Sequence, residues 1–373
     1  MKLNDFQLEC YFEKYEFSAP YLLAQSDCED MTAQQLLALE PGAAEAFAQV
    51  WLGYTETKGD PLLRQAVAEQ YSGITQADVL MLCGAQEGIL AYMSTVLNPG
   101  DHAIVMYPNY PSAWEAIRAN DGCSFDFWKI HDTEAGWQVD FEELESLIRH
   151  NTRLIAVNAP NNPTGFAFTE QQLRQLCDLC RKYDLRLFSD EVYRGLEAPG
   201  QTPPAAAELY EKATSLSVMS KAYGLAGLRV GWLVSRDREV LDRVLRFKHY
   251  TSICNAAPSE FLSRIALMHS QTLLSRNRQI IEENKKTAAE FFCRYPQVFE
   301  EKPMQAGPVA FHKLRIPMTA DEFCRRAVEQ QGVLLLPGNV FGGENQYFRM
   351  GYGRKNFPEN LQKLEAFLQK EKF

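Results

Sequence analysis

The stretch "SVMSKAYGLAGLRVGW", Ser217–Trp232, places one lysine, Lys221, among small and apolar residues. An arginine, Arg229, follows eight positions later. Apolar surroundings strip water from an ammonium group and disfavour its charged form, so a lysine there needs a reason. The runs on either side, "TSLSVMS" (214–220) and "RVGWLVS" (229–235), have the length of strands buried on both faces. Lys221 therefore stands at a strand end.

Working outward, similar runs recur at 79–84, 102–108, 124–130, 154–160 and 186–193. Helical patterns lie between them. Asp60-Pro61 reads as an N-cap and first-turn proline. Ile89, Leu90, Met93, Val96 and Leu97 form one apolar stripe. Thr169 and Gln172 form a capping box. Strand and helix in alternation predict an α/β fold: a mostly parallel seven-stranded sheet with helices on both faces. After about residue 235 the pattern changes to long helical stretches (236–250 and 258–295) and short strands near 308–315, 333–336 and 346–352. This predicts a smaller α+β domain. The division expected is 1–45 as an N-terminal segment packing with the small domain, 46–250 as the large cofactor-binding domain and 251–373 as the small domain. The first 45 residues are aromatic-rich, and no clean period is read in them.

The 373 residues carry a net charge of −10, which argues against nucleic-acid or anionic-membrane partners. No apolar run is long enough to span a bilayer and no signal peptide is visible, so a cytoplasmic location is expected. The nine cysteines are scattered. Cys177 and Cys180 form a C-x-x-C on a helical pattern without a second pair, and read as core residues; no metal site is expected.

Ligands of doubly wound sheets bind outside the carboxyl ends of the strands. There the chain offers "GAQEG" (84–88), a turn into a helix whose free N–H groups favour an anion. It offers Tyr110 in "PNYP", Asn162 in "NNPTG", Asp190 and Tyr193 in "SDEVY", then Ser220 and Lys221. A buried carboxylate needs a partner. An amine in a desolvated site is suited to form a Schiff base. A cofactor with an aldehyde, a phosphate and a pyridine ring would match all these parts.

The chain resembles the class I/II (fold-type I) pyridoxal-phosphate-dependent aminotransferase family. The resemblance rests on "YTETKGDPLLRQAV", "GAQEG", "YPNYPSAW", "NAPNNPTG", "SDEVYRG", "SKAYGLAGLRVGW" and "FRMGYGR", in that order along the chain. "YFEKYEFSAPYLLAQSD", "FKHYTSICNAAPSE" and "GVLLLPGNVFGG" add a closer likeness to the subgroup that contains capreomycidine synthase. The resemblance implies pyridoxal 5'-phosphate as cofactor and a ping-pong transfer of an amino group from an amino acid to a 2-oxo acid. It implies Lys221 as the Schiff-base and proton-transfer residue, Asp190 at the pyridine nitrogen, and Tyr193 and Asn162 at the ring hydroxyl. Tyr110 would stack on the ring. Gly84, Ala85, Gln86, Ser220 and Arg229 would hold the phosphate. Tyr54 would reach the phosphate of a neighbouring subunit, so a homodimer with shared sites is expected. Arg349 would take the substrate carboxylate. Val218 stands where many relatives carry a hydroxyl, and Ser217 is one residue out of register. Elimination or cyclisation on the same cofactor is the alternative outcome. His249, Tyr250 and the N-terminal aromatics Tyr11, Phe12, Tyr15, Phe17 and Tyr21 are candidates for the side-chain pocket.

Overall fold

The computed structural model describes residues 3–373. Its centre is a sheet of eight strands, not seven. The spatial order is Val79–Leu82, Gly231–Ser235, Ala213–Val218, Arg186–Asp190, Thr152–Asn158, His102–Tyr107, Ser124–Thr133, Gly136–Val139. The eighth strand, "GWQV", is the return arm of a hairpin and pairs antiparallel with Ser124–Thr133. Four residues at a sheet edge carry too little apolar pattern to announce themselves. The four central pairings are parallel. Gly231–Ser235 runs antiparallel to both its neighbours.

Side-chain alternation divides the interior into two cores, one on each sheet face. Ala103, Val105, Ala156 and Phe188 point to one, with the helix Ala85–Val96. Ile104, Met106, Ile155, Val157 and Leu187 point to the other, with Leu173, Leu176, Cys177 and Cys180 of the helix Glu170–Lys182. The capping box at Thr169 and Gln172 is formed as expected. So is the Asp60 cap, which accepts from the Leu63 amide.

A second, four-stranded antiparallel sheet lies within Phe299–Gly351, between the helices Ser270–Arg294 and Phe357–Glu371. The expected helix 258–295 is two helices, Ala257–Met268 and Ser270–Arg294, broken at His269. The expected strand at 333–336 is also split. Val333–Leu334 pairs in parallel with Tyr21–Leu22, and Leu336–Pro337 joins the four-stranded sheet.

The N-terminal segment corrects the sequence reading. Gln7–Tyr15 is a helix. Leu8, Tyr11, Phe12 and Tyr15 pack against the second core at helical spacing, a period present in the sequence and not read. Tyr11 donates to the Leu335 carbonyl at 3.1 Å. The Phe6 and Tyr110 rings lie 5.0 Å apart. The helix thus spans from the small-sheet region to the loops of the large sheet.

Candidate active site

A cavity of about 320 Å³ opens at the carboxyl ends of the central strands. Ala85, Gln86, Tyr110, Asn162, Asp190, Tyr193, Ser220, Lys221, Arg229 and Arg349 all line it. Most of these residues meet here because the parallel strands of the large sheet deliver their ends to the same edge, and Arg349 joins them from the small antiparallel sheet.

The anion end is built from backbone. The strand Val79–Leu82 passes through Gly84, whose φ of +92° favours glycine, into the helix Ala85–Val96. Gly84 gives no side-chain cap, so the first amides of this helix, at Ala85 and Gln86, face the cavity with the positive end of the helix dipole. A Cβ on Gly84 would meet Nη2 of Arg229 at 2.9 Å. Arg229 itself holds φ +52° and donates to Ser220 Oγ at 3.4 Å. Val218 lines this cavity, whereas Ser217 lines a different one with Tyr223 and Trp232. Neighbouring strand residues face opposite ways, so Ser217 cannot replace the absent hydroxyl.

Asp190 ends its strand 8% exposed. It accepts the Val192 amide at 3.2 Å and makes no ion pair among the described residues. Burial pushes its carboxyl up to about 7. Burial likewise holds the Lys221 amine below the usual lysine range, an effect opposed by Asp27. Lys221 Nζ donates to Ser26 Oγ at 2.8 Å. Tyr193 is buried, and its hydroxyl is held well above the ordinary phenol range by burial.

Arg349 is 1% exposed on the strand Tyr347–Gly351. It donates to Asn162 Oδ1 at 2.8 Å and to the Ala24 carbonyl at 2.5 Å. Its Nε has no partner, and no carboxylate pairs with it among the described residues. Burial pushes its guanidinium down to about 10. Tyr110 donates to Glu9 Oε1 at 2.6 Å.

Tyr54 does not reach this cavity; it is 84% exposed in a surface groove with Trp51 and Thr55. His249 and Tyr250 are exposed and outside it. Of the N-terminal aromatics only Phe12 lines it, and Phe17 is exposed. Sequence reasoning missed Glu9, Glu16, Gln25, Ser26, Asp27 and Asn158, all in the wall. Five of these belong to the N-terminal segment; the helical period of Gln7–Tyr15 was a signal for Glu9 and Glu16, whereas Gln25, Ser26 and Asp27 lie in irregular chain without one. Asn158 ends the strand Thr152–Asn158, and its amide donates to the Asp190 carbonyl at 3.0 Å.

The donor set suits pyridoxal phosphate. Arg229 and the helix amides can hold a phosphate. The unpaired buried carboxylate of Asp190 suits a protonated pyridine nitrogen, and the depressed Lys221 amine suits an aldehyde. Comparison with known proteins agrees. The model of the family described as aminotransferase class I and II matches residues 21–364. Capreomycidine synthase of Streptomyces vinaceus is 26% identical over 349 residues, 92% of this chain and 88% of that protein. Arginine–pyruvate transaminase of Pseudomonas aeruginosa is 28% identical over 302 residues, 78% of this chain and 75% of that protein. The crystal structure of a pyridoxal-phosphate-dependent aminotransferase from Streptococcus suis superposes with a TM-score of 0.92 at 30% identity, covering 99% of each chain. With the family match spanning both sheets and the cavity between them, the chain belongs to the class I and II aminotransferases, pyridoxal-phosphate-dependent enzymes of fold type I.

Proposed function

We propose that Lys221, Asp190, Arg229 and Arg349 divide the work of moving an amino group between an amino acid and a 2-oxo acid. One observation carries this division: four charged side chains line one cavity, and none is ion-paired among the described residues. Each therefore has a counter-charge to receive. Bound pyridoxal phosphate supplies an aldehyde for exchange with amines and a protonated ring that withdraws electrons from the substrate Cα. Asp190 holds the proton on the ring nitrogen. Arg229, Ser220 and the amides at Ala85 and Gln86 hold the phosphate behind Gly84. Tyr193 and Asn162 donate to the ring hydroxyl, and Tyr110 covers the ring face. Arg349 orients the substrate carboxylate. Nζ of Lys221 would anchor the cofactor through its aldehyde and would carry the proton to and from the substrate Cα. Cysteines that are all free fit a reducing cytoplasm.

The lobes divide at 250 in this reading, with 46–250 holding the cofactor, 251–373 closing over it and 1–45 packing with the small lobe. The pairing of Tyr21–Leu22 with Val333–Leu334 supports the last assignment. The enzyme works as a homodimer in which Tyr54 completes the partner's phosphate site.

Likeness to capreomycidine synthase supports a second reading, elimination or cyclisation of an amino acid. An amino-donor screen separates the two. Transfer releases a 2-oxo acid without ammonia and changes the absorbance of the bound cofactor stoichiometrically; elimination releases ammonia or a side group and leaves the cofactor in its aldehyde form. Lys221→Ala should abolish either turnover, and retention of full activity would overturn the assignment.

A further inference from the structure

Once Lys221, Asp190, Arg229 and Arg349 have partners, two charges in the cavity wall remain unused. They are Glu9 and Glu16. Glu9 lies in the helix Gln7–Tyr15 and Glu16 caps its end, with Phe12 between them on the same face. Neither carboxylate is ion-paired among the described residues. Glu9 Oε1 accepts the Tyr110 hydroxyl at 2.6 Å, and Glu16 Oε1 accepts Gln25 Nε2 at 3.1 Å. The second oxygen of each has no protein donor among the described residues. Asp27, a third acid in this wall, already pairs with Arg354 at 2.7 Å, an arginine it shares with Asp30.

A second observation fixes the direction of the ligand. The buried Arg349, with its unpartnered Nε, marks where a carboxylate binds. Lys221 marks the α-amine. The Phe12 ring lies 5.8 Å from the Arg349 guanidinium, so the N-terminal helix Gln7–Tyr15 passes beside the carboxylate subsite. Glu9, an exposed residue, and the half-buried Phe12 and Glu16 form the helix's contribution to the wall of the same cavity.

We propose that the substrate carries a cationic side chain, a guanidino or amino group, held by Glu9 and Glu16 beside the Phe12 ring. An aromatic ring and two carboxylates are the chemistry that recognises such a cation. The inference rests on the aminotransferase reading above, and its test separates the two. L-Arginine and its neutral isostere L-citrulline are compared on the holoenzyme. Calorimetry reads binding, and cofactor absorbance reads the amino-donor half-reaction. Arginine should be preferred by about 10- to 100-fold, the range expected for charge-assisted hydrogen bonds. Glu9→Gln and Glu16→Gln should each lower the ratio by raising the half-saturating arginine concentration, and the double variant should bring it near one. Equal handling of the two ligands by the wild type, or an unchanged ratio in the variants, overturns the inference. Preferred binding of arginine without any spectral change would overturn the aminotransferase reading and leave the cation site standing.

Discussion

Asp190 illustrates how one buried charge ties stability to cofactor binding. Without a counter-ion its carboxyl rises to about 7, so the folded chain keeps a proton that the unfolded chain gives up near pH 4. The folded state is therefore favoured below that point and loses stability as pH rises toward 7, by on the order of 4 kcal/mol. Asp190→Asn removes the ionisation. Cofactor-free Asp190→Asn should melt above the wild type at pH 8, and the gap should close as pH falls toward 4. Loading with cofactor should reverse the order, because the wild-type charge then has a partner. Turnover of the variant should fall by about 100- to 1000-fold, as when a buried ion pair loses one member. Parallel melting curves across this pH range would show that the carboxylate already has a partner in the cofactor-free protein.

At the scale of single elements, strand register decides which side chains can help the cofactor. Val218 lines the active-site cavity, and Ser217 lines another one. Val218→Thr should add one donor at nearly constant volume and tighten cofactor binding about fivefold, the worth of one ordinary hydrogen bond. Ser217→Ala should leave that affinity unchanged. Fluorescence titration of the cofactor-free protein reads both. The same register explains what was legible. Six of the seven strands showed as apolar runs because both faces are buried, Ser124–Thr133 showed through its aromatic residues although it is half exposed, and the polar strand ends led to residues that line one cavity. The eighth strand stayed hidden because an edge hairpin of four residues has little pattern to show. The N-terminal helix stayed hidden for another reason. Its Leu8, Tyr11, Phe12 and Tyr15 do follow a helical period, but Glu9, Glu13, Lys14 and Glu16 break the run and give it the look of a solvated loop. Two of those charges, Glu9 and Glu16, face the cavity rather than bulk water alone.

For the whole molecule, the decisive surface is the one around Tyr54. Trp51, Leu52 and Tyr54 are largely exposed, as are Tyr250 and Ile253. Hydrogen bonds join these two segments. The buried Lys248 donates to the Thr57 carbonyl at 2.8 Å and to Asn255 Oδ1 at 2.8 Å, and Thr55 donates to the Asn255 carbonyl at 2.8 Å. Lys248 also donates to the Met81 carbonyl, at 2.7 Å, on the strand that leads to Gly84. An apolar patch of this kind suits the homodimer proposed above, and Lys248 ties it to the strand that leads to Gly84. A second copy of the chain covering it would bring Tyr54 to the partner's phosphate. Trp51→Glu should then give a monomer by light scattering and weaken cofactor binding at the same time. Tyr54→Phe should remain dimeric yet bind cofactor about 10-fold less tightly, since only one hydrogen bond to an anion is lost. The pair of variants separates assembly from contact. A Trp51→Glu monomer that holds the cofactor as tightly as the wild type would refute the sharing of sites, and a Tyr54→Phe dimer with unaltered affinity would refute the contact itself.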